Sequence, residues 1–157
     1  MKNYRIPSLL CDFYKVSHAA QYPQGTEYVY STLTPRNTKY FLGERIHHPR
    51  IVSFGFQSFV KNYLIDFFDE HFFARNENEV VAEYEDLLRV ALGTAPDSSH
   101  IRALHRLGYL PLEIRAVPEG KTVAVSVPVL TIVNTNLSFS GSPIILKHFC
   151  LVKHGNP

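Results

Sequence analysis

Between Phe54 and Phe73 the chain concentrates aromatic rings in a way that only a covered surface can accommodate. In IVSFGFQSFVKNYLIDFFDEHFF, Phe56, Phe59, Val60, Tyr63, Leu64, Phe67 and Phe68 recur at steps of three and four, which predicts a helix packed along one face. Phe72 and Phe73 run past the helical period and suit either the core or contact with a partner. A second layer must therefore exist. ENEVVAEYEDLLRVAL supplies a second amphipathic helix, with Val80, Val81, Tyr84, Leu87, Leu88 and Ala91 on its buried side and Gly93 closing it. Pro96, Asp97, Ser98 and Ser99 form a turn and cap for a shorter helix, HIRALHRLG, ending at Gly108.

Strand signals surround this helical block. EYVYSTLTP alternates Tyr28, Tyr30 and Thr32 with Val29, Ser31 and Leu33, and LPLEIRAVPEG and KTVAVSVPVLTIVNT are β-rich runs separated by Pro118-Glu119-Gly120, a tight-turn composition. Near the start, Ser8 is placed to cap a short helix through LLCDFYKVSHAAQY that Pro23 and Gly25 end. Residues 37–50 have no steady period and read as a loop with one local turn. There is no repeat, low-complexity tract or linker. The expected class is α+β, with helices packed on a mostly antiparallel sheet in one unit.

Length and composition agree with that class and exclude others. A chain of 157 residues with 45% hydrophobic and 13% aromatic content can build a real core, burying roughly two-thirds of its unfolded surface. Its 16 basic and 14 acidic residues are interspersed and leave a net charge of +2, so no nucleic-acid footprint is expected. No apolar run approaches the roughly 20 residues of a membrane helix. Cys11 and Cys150 lack metal-ligand spacing and the N-terminus lacks a signal-peptide layout, so a cytoplasmic location is expected.

Spacing alone assigns no catalytic group and no metal. Asp12, Tyr14, Lys15 and His18 cannot share one helical face, and the plain reading is a helix entry with an ordinary Asp and a buried Tyr. His47-His48 reads as a solvated loop pair, His71 as a helix-end residue, and His100 and His105 as surface helix positions. The glycines form no phosphate-cradling pattern.

The order of three segments adds a further reading. LLCDFYKVSHAAQYPQGTEYVYSTLTPR, then VSFGFQSFVKNYL, then LGYLPLEIRAVPEGKTVAVSVPVLTIVNT resembles the N-terminal region of the nicotinamide phosphoribosyltransferase family. The resemblance implies transfer of phosphoribose from phosphoribosyl pyrophosphate to nicotinamide, with Mg2+ on the phosphates and ATP promoting turnover. It also implies a homodimer with active sites at the subunit interface. On this chain it places Tyr14 against the pyridine ring of the partner's site and Asp12 near the carboxamide, with Arg36 approaching the pyrophosphate. That chemistry is coherent: a π-face selects a flat ring, a carboxylate accepts from an amide N–H, and a guanidinium fork suits a phosphate. Phe13 stands where relatives often carry a small polar residue.

The resemblance stops at Asn136, whereas family chains continue through a phosphoribosyltransferase barrel that carries most catalytic groups. Residues 1–136 are thus expected to form the N-terminal domain, inactive alone, because charge stabilisation at the reacting centre needs those groups positioned together. Read one nucleotide out of register, LSFSGSPIILKHFC can encode PEFFWLTNYLETLL, close to what relatives carry after the NT dipeptide. Residues 137–157 are therefore expected to be a frame-shifted tail. The alternatives are a divergent segment with Ile144, Ile145 and Leu146 as a short strand, and a stand-alone interaction module using the Phe-rich surface.

Overall fold

The computed structural model describes residues 6–10, 15–17, 21–37, 48–94 and 97–139. It is α+β, with antiparallel sheets and no closed barrel among the described residues. Strands β1 (Tyr30–Leu33), β5 (Leu130–Asn134) and β3 (Leu112–Ala116) form one sheet in the order β1-β5-β3. Strands β2 (Arg50–Val52) and β4 (Thr122–Ala124) form a second, two-stranded sheet. Three helical elements follow the expected order: α1 (Phe56–Phe59) with a π-helical continuation over Val60–Asp66 and Asp69–Phe73, then α2 (Glu77–Leu92) and α3 (Ser99–Leu107).

The ring stripe is the core of the chain itself. Phe56, Phe59, Leu64, Phe68 and Phe72 are buried, and they join Val80, Val81, Tyr84 and Leu88 of α2, Ile101 and Leu104 of α3, and Leu130 and Ile132 of β5. Each such ring contributes about 2 kcal/mol by leaving water. Phe72 is fully enclosed, with Phe73 edge-on at 5.0 Å, so this pair serves internal packing; the exposed phenyl is Phe54, at 73%. The helix is not purely α-helical as its spacing predicted. Phe67 N–H bonds to the Asn62 carbonyl and Ala74 N–H to that of Asp69, both five residues back. This wider turn lines up residues four apart, Leu64, Phe68 and Phe72, on the buried side, while Ile65 faces out.

Helix α2 has the expected bounds, and its ends show why. The Asn76 side chain accepts from Asn78 N–H at 2.9 Å, Glu77 and Glu79 occupy the first turn, and Gly93, at φ 75°, closes the helix on the Arg89 carbonyl. Ala91, expected inside, is exposed. Glu77 takes Arg102 at 3.2 Å and Arg106 at 2.9 Å, tying α2 to α3 and holding its carboxyl below the usual range, mainly through Arg106. The α3 cap is made by Asp97, which accepts from the Ser99 amide and hydroxyl, and not by Ser98, whose hydroxyl donates to Glu85.

The β-runs separate differently from their appearance in sequence. The Pro118–Lys121 turn is tight, with Gly120 at φ 83° and Lys121 N–H on the Pro118 carbonyl at 3.3 Å, yet its flanks do not pair as a hairpin. The second run splits at Val125–Pro128: β4 pairs with β2, and β5 enters between β1 and β3. Ser126, at φ 71°, and Pro128, which has no N–H to donate to a ladder, mark the break. At the N-terminus Ser8 lies inside the 3-10 turn Pro7–Leu9 with Ile6 at its cap, and Lys15–Ser17 form another 3-10 turn, so the described parts of the expected first helix are short and 3-10 in character.

Candidate functional site

Two of the three expected ligand contacts, Asp12 and Tyr14, lie outside the described residues, and so do His18 and His47. Their flanks are described and anchored: Ile6 and Leu9 are in the core before them, and Val16 packs against that core after them. Further along the chain, the hydroxyl of Tyr22 is buried without a hydrogen-bond partner among the described residues, and desolvation pushes its pKa up.

Arg36 is exposed just beyond the end of β1, and its position depends on residues ninety places further on. The carbonyl of the preceding Pro35 accepts from Ser126 N–H at 2.8 Å, and the Leu33 carbonyl accepts from Val129 N–H at 2.9 Å. The left-handed backbone of Ser126 aims its amide at this segment. A cation thus projects from a strand end whose preceding backbone is held at Leu33 and Pro35, an arrangement suited to an anion contact.

Sequence reasoning missed the residues that hold these motifs together. Asn134, 1% exposed, accepts from Val29 N–H through Oδ1 at 2.8 Å and donates from Nδ2 to the carbonyls of Glu27 at 2.8 Å and Asn136 at 3.0 Å. It fastens the segment leading into β1 to the end of β5. Glu119 accepts from Gln57 N–H at 3.0 Å, so the PEG turn caps α1 where Gly55, at φ 83°, starts it. Ser53, also buried, donates to the Val117 carbonyl at 2.8 Å. An Asn inside a β-run is the one signal that could have flagged the first of these, since a buried amide demands partners.

Of the histidines, His105 is more engaged than expected, while His100 occupies an exposed helix position and His71 a helix end. His105 Nε2 lies 2.9 Å from the Arg75 carbonyl and therefore donates to it, with its ring 5.4 Å from that of Phe72, so it is a joint between α3 and the end of the π-helical segment. His100 sits edge-on to Tyr84 at 5.9 Å, and desolvation lowers its pKa against the opposing pull of Asp97. His71 stacks edge-on with Phe67 at 4.5 Å. Among the described residues no group of three or more His, Cys, Asp or Glu is placed to hold a metal, and no helix is long and apolar enough to cross a membrane. A groove of about 440 Å3 opens between α1 and β3, floored by Phe56, Val60, Ile114, Val117 and Leu130 and flanked by Lys61 and Glu119.

Comparison with known proteins places this arrangement. The family model for the nicotinamide phosphoribosyltransferase N-terminal domain matches residues 8–88. The nicotinamide phosphoribosyltransferase of Acinetobacter baylyi is 47% identical over 131 residues, which are 82% of this chain and 26% of that protein. The chain thus spans about a quarter of the length of this relative. Asp12, Tyr14 and Arg36 all fall inside the matched residues, and the chain belongs to the nicotinamide phosphoribosyltransferase family, matching its N-terminal domain.

Proposed function

We propose that this chain contributes one wall of a nicotinamide site in phosphoribosyl transfer from phosphoribosyl pyrophosphate, a step of NAD salvage, and that it does not complete the reaction alone. The observation that carries the reading is the match over residues 8–88, which contains the whole DFYK segment and Arg36. In this reading Tyr14 lays its ring on the pyridine of a site in a second subunit, Asp12 accepts from the carboxamide N–H, and Arg36 pairs with the pyrophosphate. Mg2+ would travel on the substrate phosphates, and no step is assigned to a metal held by this chain. The remaining walls and the groups that stabilise the oxocarbenium and the leaving pyrophosphate belong to polypeptide outside these residues. The domain boundary falls after Asn136, with residues 137–157 a frame-shifted tail.

The test uses the chain by itself and a chimera in which residues 1–136 replace the matching part of the A. baylyi relative. Nicotinamide mononucleotide should form with the chimera and not with the chain. Tyr14→Ala in the chimera should raise KM for nicotinamide by about tenfold or more while leaving that for phosphoribosyl pyrophosphate in place. Arg36→Ala should do the reverse. Product from the chain alone, or an unchanged nicotinamide KM in the Tyr14 variant, refutes the assignment.

A further inference from the structure

Ser126 holds its backbone at φ 71°, a left-handed conformation that a residue with a side chain adopts only at a cost. Such strain persists where the surrounding contacts over-determine it. Three hydrogen bonds do so here. Val127 N–H closes a turn on the Ala124 carbonyl at 3.3 Å, which sets Ser126 at the third position of the turn, where a type II geometry requires a positive φ. Val125 N–H bonds to the Pro49 carbonyl at 3.0 Å, and Ser126 N–H bonds to the Pro35 carbonyl at 2.8 Å. The turn is thus gripped from the start of β2 by one amide and from the exit of β1 by the next.

The bond to Pro35 is out of step with the ladder it extends. Val129 N–H bonds to the Leu33 carbonyl at 2.9 Å, and two residues further along each strand an antiparallel ladder would bring Val127 N–H to the Pro35 carbonyl. Val127 is committed to the turn. Ser126, one residue further back, takes its place, a slip of the kind a β-bulge makes, and bulges re-aim the side chains beside them. Pro35 has no N–H of its own, so its carbonyl is the backbone group by which this residue can be tied. The next residue is the exposed Arg36. A change of Ser126 to negative φ would rotate its amide away from Pro35 and release the peptide plane from which Arg36 begins.

We propose that Ser126 is a positioning residue for the phosphate contact: its left-handed backbone fixes the peptide before Arg36 and so sets how tightly phosphoribosyl pyrophosphate is held. This rests on the pyrophosphate role proposed above for Arg36. The chimera carrying residues 1–136 tests it. Ser126→Val, whose β-branched side chain resists a positive φ, should raise KM for phosphoribosyl pyrophosphate about tenfold, on the scale of a small misplacement of a binding group, and leave that for nicotinamide within about twofold. Ser126→Gly keeps the amide and enters the left-handed region freely, so both KM values should stay within about twofold of the parent. In an Arg36→Ala background Ser126→Val should add less than about twofold, because the residue acts through the guanidinium. A purely structural role would move both KM values and persist in that background. Circular dichroism verifies the fold, and if Ser126→Val does not fold, Ser126→Thr applies the same bias with a smaller disturbance. An unchanged KM for phosphoribosyl pyrophosphate in the β-branched variant, a rise shared by nicotinamide, or an effect undiminished without Arg36 overturns the proposal. Arg36→Ala alone, if it leaves this KM unaltered, refutes instead the reading of Arg36, and this proposal with it.

Discussion

Replacing Asn134 by Asp keeps the shape of the side chain and inverts half of its hydrogen bonding. One carboxylate oxygen can still accept from Val29 N–H, but the other faces the carbonyls of Glu27 and Asn136, where the amide Nδ2 donated to both. Two donated bonds are worth about 1 kcal/mol each, and an acceptor held against two acceptors in a buried position adds about 1–2 kcal/mol. Partial solvent access at Glu27 and Asn136 keeps the sum near 3–4 kcal/mol at pH 7, or a fall in Tm of about 10 °C for a chain of this size. The sign of the pH dependence separates this mechanism from simple loss of packing. Opposing carbonyls and desolvation raise the folded-state pKa of the introduced carboxyl above its unfolded value of about 3.9. Such a group favours the fold below the unfolded pKa and loses that contribution as pH rises through the folded one. The deficit relative to the unaltered chain should therefore shrink as pH is lowered from 7 toward 4.5, because a protonated carboxyl again donates to one carbonyl. Thermal denaturation followed by circular dichroism, with both chains measured at each pH, checks this. A variant as stable as the parent at pH 7, or a deficit that grows with acid, would refute the clamp.

Two further outcomes follow from contacts that cross the fold. Glu119→Ala should cost about 1 kcal/mol by stripping the Gln57 amide of its cap, whereas Glu119→Gln, which retains an acceptor, should recover most of it in urea titrations. His100 has its pKa lowered by desolvation from 6.5, so the fold favours the neutral ring; this contribution is present above pH 6.5 and is lost as pH falls through the folded value. His100→Asn should flatten the stability curve just below pH 6.5 while leaving the steeper loss below 4.5, where Glu77 releases Arg106 and Arg102. An unchanged slope between pH 6.5 and 5 would contradict the assignment.

The helical half of this protein was legible because its determinants are local. Periodic apolar positions, Gly93 at the end of α2 and Gly108 after α3 lie within a turn of what they control, and those bounds match to within about one residue. The π-helical turns were not legible, since the same steps of three and four fit an α-helix until Leu64, Phe68 and Phe72 must face one core. Strand existence was readable from alternation, but strand partners were not: nothing near Val125–Pro128 announces that β4 leaves for β2 while β5 enters between β1 and β3.

For the candidate site the division is sharper. The DFYK segment and Arg36 were identified by likeness to a family, a property of the order of residues, and the family match over residues 8–88 contains them. The sequence by itself therefore determined the class, helices α2 and α3 and the lineage, because each rests on neighbours along the chain or on a motif read as a string. Tertiary structure alone decided that Ser126 fixes the backbone before Arg36, that Asn134 fastens the lead into β1, and that Glu119 caps α1. Those contacts join residues from 62 to 107 positions apart, and their hydrogen bonds exist only once the core has closed and excluded the water that would otherwise satisfy each group.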